Sequence, residues 1–317
     1  MRRRLGLLFA AVTLSFPALS PALAWWDEGH MQIAAIAYDK LDAPVKAKVD
    51  ALLKLNADYD NWSHGAPDVA TGQKWAFVHA ATWADDIKDR APKYTDDKDD
   101  TGPIAHQNLG YDDLNMHKSW HFKDIQFSPD GTQYTTLDPS HANAVTALNM
   151  MIAALPESSG ASPSVRSYDL VWILHLVGDL HQPLHAVSRY TREIPDGDGG
   201  ANAETVIPAT GDPIALHFYW DGIFGGYASP YGAIYDAKPL TTMNADDKAA
   251  KKLDPEKWAE ESADLAKRWA YAAPPIGPGK SVVWLTREYE TAAHSLAKTQ
   301  AVLAVARLAN VLNAALK

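Results

Sequence analysis

The run Leu170-Val171-Trp172-Ile173-Leu174-His175-Leu176-Val177-Gly178-Asp179 is apolar except at His175 and Asp179. Its apolar content buries it on most sides, and a spacing of four puts the two polar groups on one helical face. A buried carboxylate costs on the order of several kcal/mol unless it is paired or bound to a cation. Pro183 ends or turns the helix and brings His185 back toward the same place. His175, Asp179 and His185 therefore form a set that suits zinc, which accepts nitrogen and oxygen ligands. An ordinary buried hydrogen bond between histidine and aspartate fits these residues equally well.

The same pattern recurs in Leu216-His217-Phe218-Tyr219-Trp220-Asp221, again with histidine and aspartate four apart in apolar and aromatic surroundings. Three more polar residues stand in comparable settings: Asp85 in Trp83-Ala84-Asp85, His121 in Ser119-Trp120-His121-Phe122, and His30 near the start of the first helical pattern.

Outward from these segments the pattern stays helical, with few stretches of period two. His30, Ala34, Ala37 and Leu41 share a face of an opening helix, and helices are expected over 75–88 and 141–155. Asp254-Pro255 reads as an N-cap followed by proline at the first helical position, opening a helix through Trp269. Val305, Leu308, Leu312 and Leu316 make the core-facing stripe of a last long helix. Stretches 92–110, 156–163 and 191–213 are loops broken by glycine and proline. The aspartates 96, 97, 99 and 100 lack the ordered spacing of a calcium loop and read as a solvated acidic segment. The fold class expected is all-α: a single compact multi-helix domain with long loops.

Residues 1–24 read as a secretory signal. Arg2, Arg3 and Arg4 precede an apolar stretch from Leu5 to Phe16, and Ala22-Leu23-Ala24 forms a small-residue cleavage site. The processed chain would begin at Trp25, be secreted or periplasmic, and carry no membrane anchor. The chain contains no cysteine, which excludes disulfides and thiolate chemistry. Its formal net charge is −10, and loss of the three leader arginines makes it more negative. Such a surface repels polyanions, so attraction for a phosphate ester must come from a local source such as a metal cluster. Asn61-Trp62-Ser63 is a formal glycosylation sequon.

Trp25, His30, Asp85, His121, His175, Asp179, His185, His217 and Asp221 together, in this order, resemble the zinc-dependent single-strand nucleases of fungi and plants, the S-one/P-one type, which also have bacterial members. The match runs from Trp25 to Asp221, with looser echoes in Trp258-Ala259-Glu260-Glu261-Ser262 and in 307–313. The resemblance implies three Zn2+. One would be held by Asp85, His121 and His175, with Asp179 bridging to a second. That second zinc would be held by Asp179, His30 and the amino group and carbonyl of Trp25. The third would use His185, His217 and Asp221.

The resemblance further implies hydrolysis of single-stranded RNA and DNA to 5′-phosphate products, with 3′-nucleotidase activity. Hydroxide bridging two zincs would attack phosphorus, while the third zinc neutralises the departing 3′ oxygen. Asp85, Asp179 and Lys88 are the catalytic set; Lys88 stands where the family often has arginine, as a point charge rather than a fork. Phe122 would stack a base, with Asp124 and Asn202 beside it. The loop Asp198-Gly199-Gly200-Ala201-Asn202 departs from the family's tighter Gly-Gly-Asn by an insertion. No obligate protein partner is evident. His64, His79, His106, His117, His141, His181 and His294 match no ligand position. Two other readings compete with this one. A zinc phospholipase C has a longer interval between its first two ligands and typically a glutamate last. A non-enzymatic zinc-binding protein would need no base-stacking aromatic.

Overall fold

A computed structural model of the chain describes residues 25–317 except 98–101, 103–105, 138–140, 210, 227, 273–274 and 280. The leader at 1–24 and the aspartates at 99 and 100 lie outside the described residues. The fold is all-α with few strands.

The helix that carries His175 spans Pro163–Asp179 and is the axis of the molecule. Ser162 caps it by accepting from the Val165 amide at 3.2 Å, and Pro163 occupies the first turn, where its missing N–H costs nothing. From Arg166 to Asp179 every residue is buried. Helices Ala43–Leu53, Ala144–Ala154 and Asp27–Asp39 pack against it, and the long C-terminal helix Arg287–Ala315 closes another side. An apolar circumference suits a helix surrounded in this way. The helix stops where expected: Leu180 is its C-cap, and Gln182 caps a 3-10 turn, Pro183–Ala186, that carries His185.

Elsewhere the boundaries shift. The helix expected over 75–88 is three pieces, Val69–Ala80, Trp83–Asp86 and the 3-10 turn Ile87–Asp89, broken at Ala81 and Thr82. The Ala81 carbonyl freed by that break accepts a hydrogen bond from His175 Nδ1 at 2.8 Å. Helix Ala144–Ala154 starts later than position 141, because Asn143 forms a capping box with Thr146. Helix Pro255–Leu265 continues as a π-helical segment, Ala266–Ala270. The region 191–213 contains a strand, Thr205–Ile207, which pairs antiparallel with Ile214–Ala215 and parallel with Val283–Trp284. Ile125–Phe127 pairs parallel with Val187–Arg189 in a separate two-stranded ladder. Strands this short offer no alternation to read.

Six tryptophans are fully buried: Trp25, Trp83, Trp120, Trp172, Trp220 and Trp258. Trp83, Trp120 and Trp220 lie within two residues of Asp85, His121 and Asp221 in the chain. Trp172 meets Trp83, Trp120 and His121 edge-on, at centroid distances of 6.2, 5.1 and 5.5 Å. No helix among the described residues is long and apolar enough to cross a membrane.

Candidate metal centre and adjoining pocket

The helix spacing works as the sequence suggested, and His175 Nε2 lies 3.2 Å from Asp179 Oδ2. The 3-10 turn Lys118–His121 brings His121 Nδ1 to 3.0 Å from His175 Nε2 and 3.1 Å from Asp179 Oδ2. Helix Trp83–Asp86 supplies Asp85, whose Oδ1 is 3.5 Å from His121 Nδ1 and 3.7 Å from His175 Nε2. The opening helix adds His30, with Nε2 3.2 Å from Asp179 Oδ1 and its ring stacked on His175 at 3.9 Å. Gly178 permits this approach: a Cβ there would sit 2.8 Å from His30 Nδ1. Trp25 is fully buried, and its indole N–H donates to the Gly178 carbonyl at 3.1 Å.

A separate group forms around the other pair. His217 Nε2 is 3.1 Å from His185 Nε2, and each lies 3.5 Å from an Asp221 oxygen. Helix Leu216–Asp221 positions His217 and Asp221, and the Pro183–Ala186 turn positions His185. The Trp26 amide donates to the Asp221 carbonyl at 3.0 Å, so the amino-terminal segment is tied to both groups.

Among the described residues, three buried triads could therefore hold metal: His30, His175 and Asp179; Asp85, His121 and His175; and His185, His217 and Asp221. Among the described residues, none of the other histidines joins such a group. The donor set fits zinc. Ligand atoms of a tetrahedral zinc stand roughly 3.3 Å apart, and the facing atoms here stand 3.0 to 3.7 Å apart. Among the described residues the buried Asp221 Oδ2 makes no hydrogen bond, and Asp179 Oδ1 and His30 Nε2 make none beyond their 3.2 Å approach to each other, a costly arrangement unless a cation completes it.

The electrostatics agree. Burial works against charge on Asp179, yet His175, His121 and His30 hold its carboxyl well below the ordinary value. Burial likewise opposes ionisation of Asp85, and Lys88, His175 and His121 pull it below its ordinary value. Burial and Lys88 push His121 down to about 3. His175 is raised despite burial, by Asp179 and Asp85, and His185 is raised to about 9 despite burial, chiefly by Asp221. Burial lowers His30 and His217 as well, so each cluster sets carboxylate oxygens beside imidazoles of which only part carry a proton.

Three histidines of the triads are also fixed from outside. His175 Nδ1 donates to the Ala81 carbonyl at 2.8 Å, His185 Nδ1 to the His121 carbonyl at 2.8 Å, and His217 Nδ1 to the Gly200 carbonyl at 2.6 Å. Such bonds select the tautomer that aims Nε2 inward.

A sequence model of the family described as S1/P1 nuclease matches residues 25–317. The chain belongs to the S1/P1 nuclease family. Nuclease S1 of Aspergillus oryzae (strain ATCC 42149 / RIB 40) is 25% identical over 215 residues, covering 67% of this chain and 58% of that protein. The chain thus matches under two thirds of that relative's length.

In this S1/P1 family member a pocket of about 250 Å3 adjoins the triads, lined by Phe122, Asp124, Lys88, Lys118 and Asn202 together with His121, His185 and His217. Phe122 is only partly buried and faces the pocket rather than the core. Burial and the nearby Asp198 push Asp124 up to about 7. Lys88 Nζ lies 2.7 Å from Asp85 Oδ1 and is almost fully buried. Asn202 is exposed at the rim, its side-chain amide donating to the Gly199 carbonyl at 2.7 Å.

The five-residue loop 198–202 that ends on Asn202 achieves its shape through three consecutive left-handed residues, Gly199, Gly200 and Ala201, with φ of 57°, 65° and 68°. Sequence reasoning passed over Gln182, which caps the turn through the Leu184 amide and donates to Asp221 Oδ1 at 2.6 Å. Its place between Asp179 and His185 was the only available signal. The acidic segment is not simply solvated either, because Asp96 and Asp97 engage Lys118 and His117.

Proposed function

We propose that the chain is an exported endonuclease holding three Zn2+, which hydrolyses single-stranded RNA and DNA to 5′-phosphate products and removes phosphate from 3′-nucleotides. The observation that carries this reading is the convergence of three metal-capable triads beside a pocket lined by Phe122 and Lys88. Residues 25–317 would act as one zinc-dependent domain once a leader at 1–24 is removed, with residence in the periplasm or outside the cell.

His30, Asp179 and the backbone of Trp25 would hold one zinc, Asp85, His121, His175 and Asp179 another, and His185, His217 and Asp221 the third. When bound, the ions supply Lewis acidity for the phosphate and lower the pKa of coordinated water. The chain's own residues do the rest. Lys88 neutralises charge beside Asp85, at the cluster edge that opens to the pocket. Phe122 offers a π-face for one unstacked base, and Asp124 and Asn202 offer hydrogen bonds to its edge. Paired bases would have to unstack before one could reach Phe122, which gives single strands their advantage.

The test pairs metal analysis of the processed protein with an assay on single-stranded RNA. About three zinc equivalents and 5′-phosphate products are expected. Zinc-loaded protein that leaves RNA and DNA intact while releasing phosphocholine from lipid would overturn the reading.

A further inference from the structure

Lys118 has no role in the proposed site, yet the structure spends considerable order on placing it. It opens the 3-10 turn that ends at His121, and it lines the same pocket as Phe122, Asp124 and Lys88. Its ammonium lies 2.7 Å from Asp96 Oδ2. The preceding residue, His117, is left-handed at φ 45°, uncommon for a residue with a side chain. Asp97 accepts from the His117 amide at 2.9 Å and approaches its ring Nδ1 to 3.0 Å. Asp113 Oδ2 meets the other ring nitrogen at 2.6 Å, and Trp120 stacks on the ring at 3.6 Å. Two consecutive aspartates therefore grip two consecutive residues and fix where the lysine emerges.

The two pocket lysines differ in what they can still reach. The Lys88 side chain is 5% exposed and its ammonium faces Asp85. The Lys118 side chain is 32% exposed, and Asp96, its partner, is itself half-exposed. An ammonium carries three donors, so an incoming anion can join Asp96 on Lys118 without displacing it. A strand with one phosphate at the metal ligands and one base on Phe122 must carry its neighbouring phosphate past the pocket wall. On a chain of net charge −10, a positioned ammonium with donors left over from Asp96 gives a phosphate a short-range contact at that wall.

We infer that Lys118 forms a second phosphate-binding subsite, which takes the phosphodiester flanking the one at the metal ligands and so favours oligonucleotides over mononucleotides. This rests on the nuclease reading above. A 3′-nucleotide has a single phosphate and nothing to offer Lys118.

The experiment compares zinc-replete wild type, Lys118→Met and Lys118→Arg on a short single-stranded oligonucleotide and on a 3′-nucleotide. The methionine variant should lose kcat/KM on the oligonucleotide by about tenfold more than on the 3′-nucleotide, mostly through KM. Arginine should restore most of that difference. Binding of a nuclease-resistant phosphorothioate strand, followed by fluorescence anisotropy, should show a log–log salt slope shallower by about 0.7 in the methionine variant. Equal losses on both substrates, an unchanged salt slope, or an arginine variant as impaired as methionine would each overturn the subsite. Wild-type protein that cleaves neither substrate would defeat the nuclease reading itself.

Discussion

Asp169 lies fully buried in the central helix, where Oδ2 accepts from Asn108 Nδ2 at 2.8 Å and Oδ1 has no partner. Burial pushes its carboxyl up to about 7. The folded protein then keeps a proton that the unfolded chain releases above pH ~4. The group's contribution to stability is full below about pH 4, declines as pH rises, and is lost above about pH 7. The difference across that window is as much as about 4 kcal/mol. Asp169→Asn removes this dependence while keeping a partner for Asn108. Thermal denaturation of the two proteins should diverge in favour of the variant between pH 5 and pH 8, and parallel curves would refute the assignment. Taking the difference cancels the opposite trend from the metal ligands, which lose cations to protons as pH falls. At this scale the sequence is most readable where a polar side chain interrupts an apolar run, as His175 and Asp179 do. It is silent where the partner is a carbonyl, as at Ala81, His121 and Gly200, because every residue carries one.

Short elements place triad residues more often than long ones do. His121, His185 and Asp85 come from turns of four residues, too brief for any periodicity to reveal, whereas the helix bearing His175 and Asp179 was legible from its apolar content and from Pro183 beyond its end. The loop at 198–202 was visible only as an insertion. Its conformation follows from packing, since a Cβ on Gly200 would stand 2.4 Å from the Leu184 carbonyl and 3.0 Å from His217 Nδ1. Gly200→Ala should therefore cost roughly 1–3 kcal/mol and, on the proposed three-zinc reading, about one zinc equivalent, by displacing His217. Gly199→Ala, whose new methyl approaches no closer than the Asn202 Cβ at 4.0 Å, should keep all its metal. Metal analysis of both variants decides the point, and a full complement in Gly200→Ala would count against the loop as a support for His217. The amino-terminal segment is the other such element, held through Trp26 to Asp221 and through Trp25 to Gly178. If the Trp25 amino group is a ligand, one residue added before it should lower activity by at least about a hundredfold, by analogy with losses in ligand shells. Full activity in the extended protein would remove Trp25 from the ligand set.

Across the whole molecule the candidate centre takes the place of part of the apolar core. Opening helix, central helix, the Trp83–Asp86 turn and helix Leu216–Asp221 converge on buried aspartates and imidazoles, where another helical fold would put leucine. Without cations, Asp85 and Asp179 are buried carboxylates beside histidines that cannot all be charged. Metal binding is then part of folding free energy. A single site filled at a thousandfold excess over its Kd adds about 4 kcal/mol, and each kcal/mol is worth about 2–4 °C in a chain of roughly this size. Excess chelator should lower the midpoint of thermal unfolding by about 10 °C or more, and added zinc should restore it. The secondary-structure content at room temperature should fall much less, because Trp172 and its neighbours still pack around the central helix. A midpoint that stays fixed after metal analysis has verified removal would mean that packing alone holds the four elements together, and that the triads are passengers on the fold rather than part of its core.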